Sequence, residues 1–346
     1  MHISGRSMRA AVARATDAAL EVSIAGGFGS PGIRVRRRLA GWVDPPPMDG
    51  RCVLITGATS GIGLAAATEM ARLGAQVGIV GRDPQRTAST AAQIEAEVQA
   101  EHADHVGQAR HAQAGTRPVA VFVADLTRLA DAHRLAAEVA GAWECLDVLV
   151  HNAGALSADY QLTEDGFEAT YATQVLSQHV ITSGLLGHLA RGRRPRVVTV
   201  SSGGMYAEAL DLATVQSEAQ DYDGVRAYAR AKRAQVVLAA QWARRFPAPI
   251  QFHSMHPGWA DTPGVRDALP RFHRLTSPIL RTPAEGADTI VWLAAVESVP
   301  GRNGSFWLDR QPRGTVRMPG TSRPMEVADA LWEMVCAQTG VVPRLP

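Results

Sequence analysis

The sequence predicts an α/β fold: a doubly wound sheet of seven parallel strands, built as one domain behind an N-terminal arm. Three observations carry this reading. From Arg51 onward, short apolar runs alternate with longer helical stretches. Such alternation calls for right-handed crossovers, which put helices on both faces of a parallel sheet. The first run, Val53-Leu54-Ile55-Thr56, opens into a turn carrying Gly57, Gly61 and Gly63 and then into a helix. Finally, no change of composition after Pro47 marks a second domain.

Bulk properties narrow the function classes. A chain of 346 residues with a net charge of +2 has no charge excess that would suggest nucleic acid as a partner. Cys52, Cys145 and Cys336 are odd in number and far apart, which excludes a disulfide framework and fits a reducing, cytoplasmic setting. The alanine-rich N-terminus is broken by Arg6, Arg9, Arg14 and Asp17, so it is neither a signal-peptide core nor a membrane span. We expect a soluble protein.

Residues 1–50 form the arm. Gly26-Gly27-Phe28-Gly29-Ser30-Pro31-Gly32 is a loop signal and Asp44-Pro45-Pro46-Pro47 a stiff linker. Between them, Ile33 to Trp42 carries Arg34, Arg36, Arg37 and Arg38. The expectation is a solvated basic arm packed on the domain; contact with an anionic membrane surface or a partner is the alternative.

Strands are expected at 51–56, 76–81, 118–124, 146–151, 195–201, 249–255 and 304–308, and helices at 61–73, 84–100, 128–142, 166–190, 223–245 and 283–297. The unit would span 51–310, with 311–346 a C-terminal extension holding a short helix. His102, His105 and His111 fall in the polar stretch 99–116, without the Cys or carboxylate partners of a metal site, so no metal is expected.

The glycine turn has a mechanical reading. Glycines let the backbone turn tightly and approach a ligand, and the helix that follows aims its positive end at the turn. A pyrophosphate is the natural occupant, as in Rossmann-type sheets, where ligands lie beyond the carboxyl ends of the strands. Thr59, Ser60 and Ile62 complete the turn. The second strand ends at Gly81-Arg82-Asp83-Pro84. An NAD site usually has a carboxylate near this point; here a glycine leaves room for a 2′-phosphate and a guanidinium can grip it. Asp83 reads as a helix cap before Pro84. NADP is therefore favoured, with NAD possible.

With Asp125-Leu126 after the third strand and His151-Asn152-Ala153-Gly154 after the fourth, the chain resembles a classical short-chain dehydrogenase/reductase over about residues 51–310. The resemblance implies that Asp125 contacts the adenine and that Asn152, Ala153 and Gly154 support the sheet beside the cofactor. His151 stands where the family usually has a first Asn. The fifth strand ends in Ser201-Ser202, and Tyr228 and Lys232 share one face of the next helix. A nearby ammonium would pull the tyrosine from a pKa near ~10 toward the working range. The family implies Tyr228 as acid/base, Ser202 holding the substrate oxygen, and Lys232 fixing the nicotinamide ribose. Gln174 stands where many members carry an Asn that holds a relay water; it either keeps the relay with shifted geometry or weakens it. Tyr222-x-x-x-Arg226 is a near-copy in a loop-like setting.

Pro257, Gly258 and Thr262 match the family segment that closes over the nicotinamide, and His256 reads as packed beneath it. Residues 264–282 look like a lid, with apolar Leu269, Phe272, Leu275, Ile279 and Leu280 among arginines. These suggest a lipophilic or bulky substrate. Phrases such as Leu162-Thr163-Glu164-Asp165-Gly166 and Ser201-Ser202-Gly203-Gly204-Met205 resemble the member 12 branch of the family. The expected activity is hydride transfer between NADP(H) and a carbonyl or alcohol. The rival is a cofactor-binding regulatory or scaffold protein with little catalysis. Family analogy implies a homo-oligomer through the 166–190 and 223–245 helices.

Overall fold

The computed structural model describes residues 5–104, 119–318, 320–321 and 325–345. Among them the strands are β1 (Cys52–Thr56), β2 (Gln76–Gly81), β3 (Val119–Val123), β4 (Val148–His151), β5 (Arg196–Val200), β6 (Gln251–Met255), β7 (Phe306–Leu308) and β8 (Gln311–Arg313). The helices are α1 (Gly5–Val22), α2 (Ile24–Phe28), α3 (Ser30–Ala40), α4 (Gly61–Arg72), α5 (Pro84–Asp104), α6 (Leu129–Ala142), α7 (Ala169–Tyr171), α8 (Ser177–Ala190), α9 (Gly224–Arg245), α10 (Pro263–Ala268), α11 (Pro270–Thr276), α12 (Pro283–Ala295) and α13 (Met325–Thr339). His105, His111 and the side chain of His102 lie outside the described residues.

The strand order is β3-β2-β1-β4-β5-β6-β7-β8, parallel from β3 to β7. The expected seven parallel strands are present. An eighth joins them: β8 pairs antiparallel with β7 through a turn in which Asp309 and Arg310 take positive φ. Its three residues are too short to leave a periodic signal, and the sequence reading assigned them to the C-terminal extension. The order reverses between β1 and β4, so the crevice beyond their carboxyl ends is the place for a ligand.

Alternation along each strand divides the core. Val53, Ile55, Val148, Val150 and Val198 pack on one face with Met70, Ile94 and Ile290 of α4, α5 and α12. Leu54, Leu149 and Val197 face the other way, onto α6, α8 and α9. Both faces are dry, which is why these strands read as continuous apolar runs. Each fully buried aliphatic side chain contributes about 1.5–3 kcal/mol. Caps fix the helix starts. Asp83 accepts from Arg86 N at 2.7 Å, as its place before Pro84 suggested, and Thr282 with Glu285 forms a capping box on α12.

Two regions add to the sheet. Residues 24–40, read as loop and solvated arm, are mostly helical, and of their four arginines Arg36 is buried. Its charge is satisfied by Asp17 and Glu21 of α1 and by Asp309, 273 positions away in sequence. At the other end, α13 lies along α9 and α8. Its Trp332 packs edge-on to Trp242 at 4.8 Å, Gln338 accepts from Tyr171 Oη at 2.8 Å, and His179 Nε2 lies 3.0 Å from Val341 O. The chain's own C-terminal helix thus covers part of the face through which a second subunit was expected to pack.

Candidate active site

The glycine turn closes on itself so tightly that side chains are excluded. Gly57 and Gly61 have φ of +66° and +56°, the left-handed region that favours glycine. A Cβ on Gly63 would stand 2.3 Å from Asn152 Nδ2 and 2.4 Å from Gly57 O. Asn152 cross-links β4 to the turn, donating to Thr56 O and Gly57 O at 3.0 Å each. Thr56 Oγ1 answers by accepting from Asn152 N and Ala153 N, both at 3.1 Å. Ser60 caps α4 in extended geometry without a side-chain hydrogen bond to the helix. The first-turn amides are therefore left to a ligand, and the site suits an anion such as a pyrophosphate. The residues fit a dinucleotide.

Around this turn the other expected contacts divide. Thr59 lies against Gly81, where a Cβ would come 2.6 Å from Thr59 Cγ2 and 2.3 Å from Thr87 Oγ1. No carboxylate could occupy that position without displacing both threonines. Arg82 follows, exposed at the end of β2. Asp125 uses Oδ1 to hold Thr127 N at 3.0 Å and Thr127 Oγ1 at 2.8 Å. The Leu126 side chain is buried in the core, so contact with a ligand falls to its main chain. Ile62 packs toward Gly286 of α12 rather than into the crevice. Thr262 faces Gly61, 3.2 Å from where a Cβ would stand, and its hydroxyl caps α10. The segment from Pro257 to Thr262 thereby reaches the glycine turn.

On the reacting side, Ser202 lies two residues past the end of β5 and its Oγ accepts from Gly204 N at 3.2 Å. Asp223 caps α9, which brings Tyr228 and Lys232 round to this strand end. Lys232 Nζ donates to Val200 O at 2.8 Å and lies 5.2 Å from the centre of the Tyr228 ring. Gly154 makes room here: a Cβ on it would meet Gln174 Oε1 at 3.1 Å and Lys232 Nζ at 3.3 Å. Gln174 sits in a π-helical turn, Ala172–Leu176, inserted into the helix that leads to α8. Such insertions re-aim a side chain. Its Nε2 donates to Ala155 O at 3.0 Å, while Oε1 is buried without a hydrogen-bond partner among the described residues. Its main-chain carbonyl accepts from Gln235 Nε2 at 2.8 Å.

The electrostatics differ from the sequence expectation. Burial pushes the Tyr228 hydroxyl up to about 12, and its interaction with Ser202 pulls the other way. Burial also pushes Lys232 down to about 7. A desolvated amine that itself resists charging is a poor source of field for the tyrosine, so burial outweighs the attraction that spacing suggested. Burial thus favours the neutral form of the Tyr228 hydroxyl. His256 is fully buried beneath the loop, held neutral by burial and surrounding arginines, with Nδ1 accepting from Gly258 N at 3.3 Å. Tyr222 is held elsewhere, edge-on to Tyr160 at 5.6 Å.

The Lys232 shift has a testable sign. The unfolded chain holds this proton up to its ordinary 10.5, the folded chain only to about 7. Between those values the unfolded state binds more protons, so folded-state stability rises with pH and the cost of the buried ammonium is fully present below the window. Ligand-free wild type should gain stability relative to Lys232→Met between pH 7 and pH 10 in urea titrations. A difference that stays flat across that range would refute the buried-amine assignment.

A family model described as Enoyl-(Acyl carrier protein) reductase matches residues 57–300. The chain belongs to the short-chain dehydrogenase/reductase family. Members of that family are oxidoreductases acting on CH–OH and C=O groups, and this chain is one of them. Dehydrogenase/reductase SDR family member 12 of Homo sapiens is 40% identical over 267 residues, covering 77% of this chain and 78% of that one. Retinol dehydrogenase 14 of Homo sapiens is 32% identical over 320 residues, covering 90% and 92%. A crystal structure of an uncharacterized protein from Mycobacterium paratuberculosis superposes with a TM-score of 0.67 at 28% identity, over 88% of this chain and 99% of that one. The short-chain dehydrogenase/reductase sheet accounts for all three.

Sequence reasoning singled out the glycine turn, the Asn152 element and the Ser/Tyr/Lys set, which the structure brings close together. It missed Gln235 on the Gln174 carbonyl and Val200 O as acceptor for Lys232. It also missed Phe28, Arg281 and Asp309, which buttress the 257–262 loop. Gln235 lies 61 residues from Gln174 and Lys232 lies 32 from Val200, so no local pattern carries these contacts.

Proposed function

We propose that the chain is an NADP(H)-dependent reductase or dehydrogenase of lipophilic carbonyl and alcohol compounds. The observation that carries it is the convergence of Ser202, Tyr228 and Lys232 at the end of β5, across Gly154 from a glycine turn with unclaimed helix amides. Gly57, Thr59, Ser60, Gly61 and Gly63 would hold the pyrophosphate and Asp125 the adenine end. Asn152, Ala153 and Gly154 would shape the floor, and Pro257, Gly258 and Thr262 the cover. When bound, the nicotinamide exchanges a hydride with the substrate carbon.

The chain's own groups do the rest. Ser202 Oγ hydrogen-bonds the substrate oxygen and orients it toward Tyr228. Tyr228, neutral at its raised pKa of about 12, donates its proton to that oxygen as negative charge develops. Lys232, near neutrality at about 7, can pass a proton toward the phenolate left behind. Gln174 Oε1, beside Lys232 and without a hydrogen-bond partner among the described residues, supports the relay reading, since its main-chain carbonyl is taken by Gln235. It is also the residue on which the rival reading, a cofactor-binding regulator, rests.

NADP is favoured over NAD because the Gly81 position cannot take a carboxylate and exposed Arg82 follows it. Lipophilic substrates are favoured by the lid, where Leu275 is 83% exposed, and by the likeness to a retinol dehydrogenase. Three free cysteines fit a reducing compartment, and we read the chain as cytoplasmic. Retinal, nonanal and benzil, offered with NADPH and NADH side by side, test this reading. Reduction with NADPH at a rate about tenfold or more above NADH is expected. Absence of any NADPH-dependent reduction would leave the regulator, and equal rates would remove Arg82 from the cofactor site.

A further inference from the structure

The N-terminal segment has no place in the reaction just described, yet it touches both halves of the site. Phe28 is buried, with 4% of its surface exposed. Its ring lies edge-on to His256 at 4.6 Å and to Trp259 at 6.0 Å. A Cβ on Gly203 would stand 2.7 Å from Phe28 Cε2, so the ring presses on the turn that begins at Ser202. On the other side, Phe28 O accepts from Trp259 N at 2.9 Å. Trp259 O in turn accepts from Arg281 N at 2.7 Å, and Arg281 O accepts from Asp261 N at 2.8 Å. One residue further along stands Thr262, against Gly61 of the glycine turn.

A buried ionic cluster anchors this segment. Asp309, at the turn between β7 and β8, accepts from Arg281 at 2.5 and 2.9 Å and from Arg36 of α3 at 2.6 Å. All three side chains are almost wholly buried. Arg281 also donates to Phe28 O at 2.8 Å, Gly27 O at 3.1 Å and Pro257 O at 3.2 Å, while Arg36 donates to Gly27 O at 2.8 Å. The second positive charge is met by Asp17 at 2.7 Å and Glu21 at 2.9 Å from α1. Every donor on Arg281 is thus spent on the N-terminal segment, on the closing loop, or on the carboxylate that joins them. Gly258 is required there, because with φ +76° a Cβ would come 2.4 Å from Phe28 O.

We propose that residues 27–29, held by Arg36, Asp309 and Arg281, are a built-in clamp that positions the 257–262 loop and the Ser202 turn across the crevice. Phe28, Arg36, Arg281 and Asp309 are positioning residues: they act through Trp259, Thr262 and Ser202 and touch no reacting atom. The clamp preorganises the cover of the cofactor site, so that little ordering remains to be done on binding. The functional half of this statement rests on the NADP(H) reading above; the mechanical half does not.

The test uses the full chain and its Phe28→Ala and Asp309→Asn variants, with amide hydrogen exchange read by segment and NADPH affinity read by tryptophan quenching. Exchange of 257–262 should accelerate about tenfold or more in both variants while β1 is unchanged, and NADPH should bind about tenfold more weakly. Equal acceleration in β1 and the loop would reduce these residues to ordinary fold stabilisers and overturn the proposal. So would a loosened loop with unchanged NADPH affinity. Should Phe28→Ala fail to fold, Phe28→Leu keeps apolar bulk, loses the ring contacts and is read by the same criteria. If wild type shows no response to NADPH, the cofactor reading fails, and the loop exchange still decides whether the clamp exists.

Discussion

Replacing Tyr228 with phenylalanine is expected to cost about 10²–10⁴ in kcat while leaving NADPH affinity within about twofold. The reason is that the lost hydroxyl is the one that interacts with Ser202 and is held near 12 by burial. The ring, which packs beside Lys232 with its centre 5.2 Å from Nζ, is kept. Stopped-flow or steady-state turnover with NADPH and the responsive aldehyde or ketone, paired with cofactor titration, separates the two effects. A mutant that turns over like wild type would remove Tyr228 from the proton path. Tyr222 would not inherit the role, since it is held against Tyr160 outside this cluster.

Arg82→Ala is expected to weaken NADPH binding by about 10- to 100-fold and leave NADH binding unchanged. The figure follows from about 1.5–3 kcal/mol for a charge-assisted hydrogen bond to phosphate, converted to a ratio of dissociation constants. Because Arg82 is exposed, the contribution should shrink as salt is raised. Titration of both cofactors at low and high ionic strength checks this. An equal loss for NADPH and NADH would mean that Arg82 supports the turn rather than reading the 2′-phosphate. The complementary swap, an acid at Gly81, is a poor test, since its Cβ would collide with Thr59 and Thr87 whatever its charge.

These two expectations concern residues that local pattern identified, and the fold was legible for the same reason. Every expected strand and helix between 51 and 308 has a counterpart in the structure within a few residues, because both faces of the sheet are dry and the apolar runs are unbroken. The 166–190 helix is where local pattern stopped short. Its start moved to Ala169, because Gly166 turns at φ +80° and Glu168 caps the first amides. The π turn at Gln174 was invisible, because the contact on its carbonyl is long-range: it accepts from Gln235, 61 residues away.

Charge was the least legible property. Arg34, Arg36, Arg37 and Arg38 read alike in sequence, yet only Arg36 turns inward, to an aspartate 273 residues away. The tyrosine-lysine pair shows the same limit. Four-residue spacing put both groups on one face, but the depth of burial decided that Tyr228 is pushed up and Lys232 down. Desolvation depends on everything that surrounds a group, and no window of sequence contains it.

By itself, then, the sequence determined the seven parallel strands, the glycine turn and the helix face shared by Tyr228 and Lys232, since helix and strand periodicity and glycine geometry are local properties of the chain. Tertiary structure alone decided that the N-terminal segment is pinned to the cofactor loop through Phe28, Arg281 and Asp309. It also decided that α13 covers the outer face of α8 and α9. Those outcomes depend on contacts between residues more than 25 and often more than 250 positions apart, and such contacts leave no periodic trace.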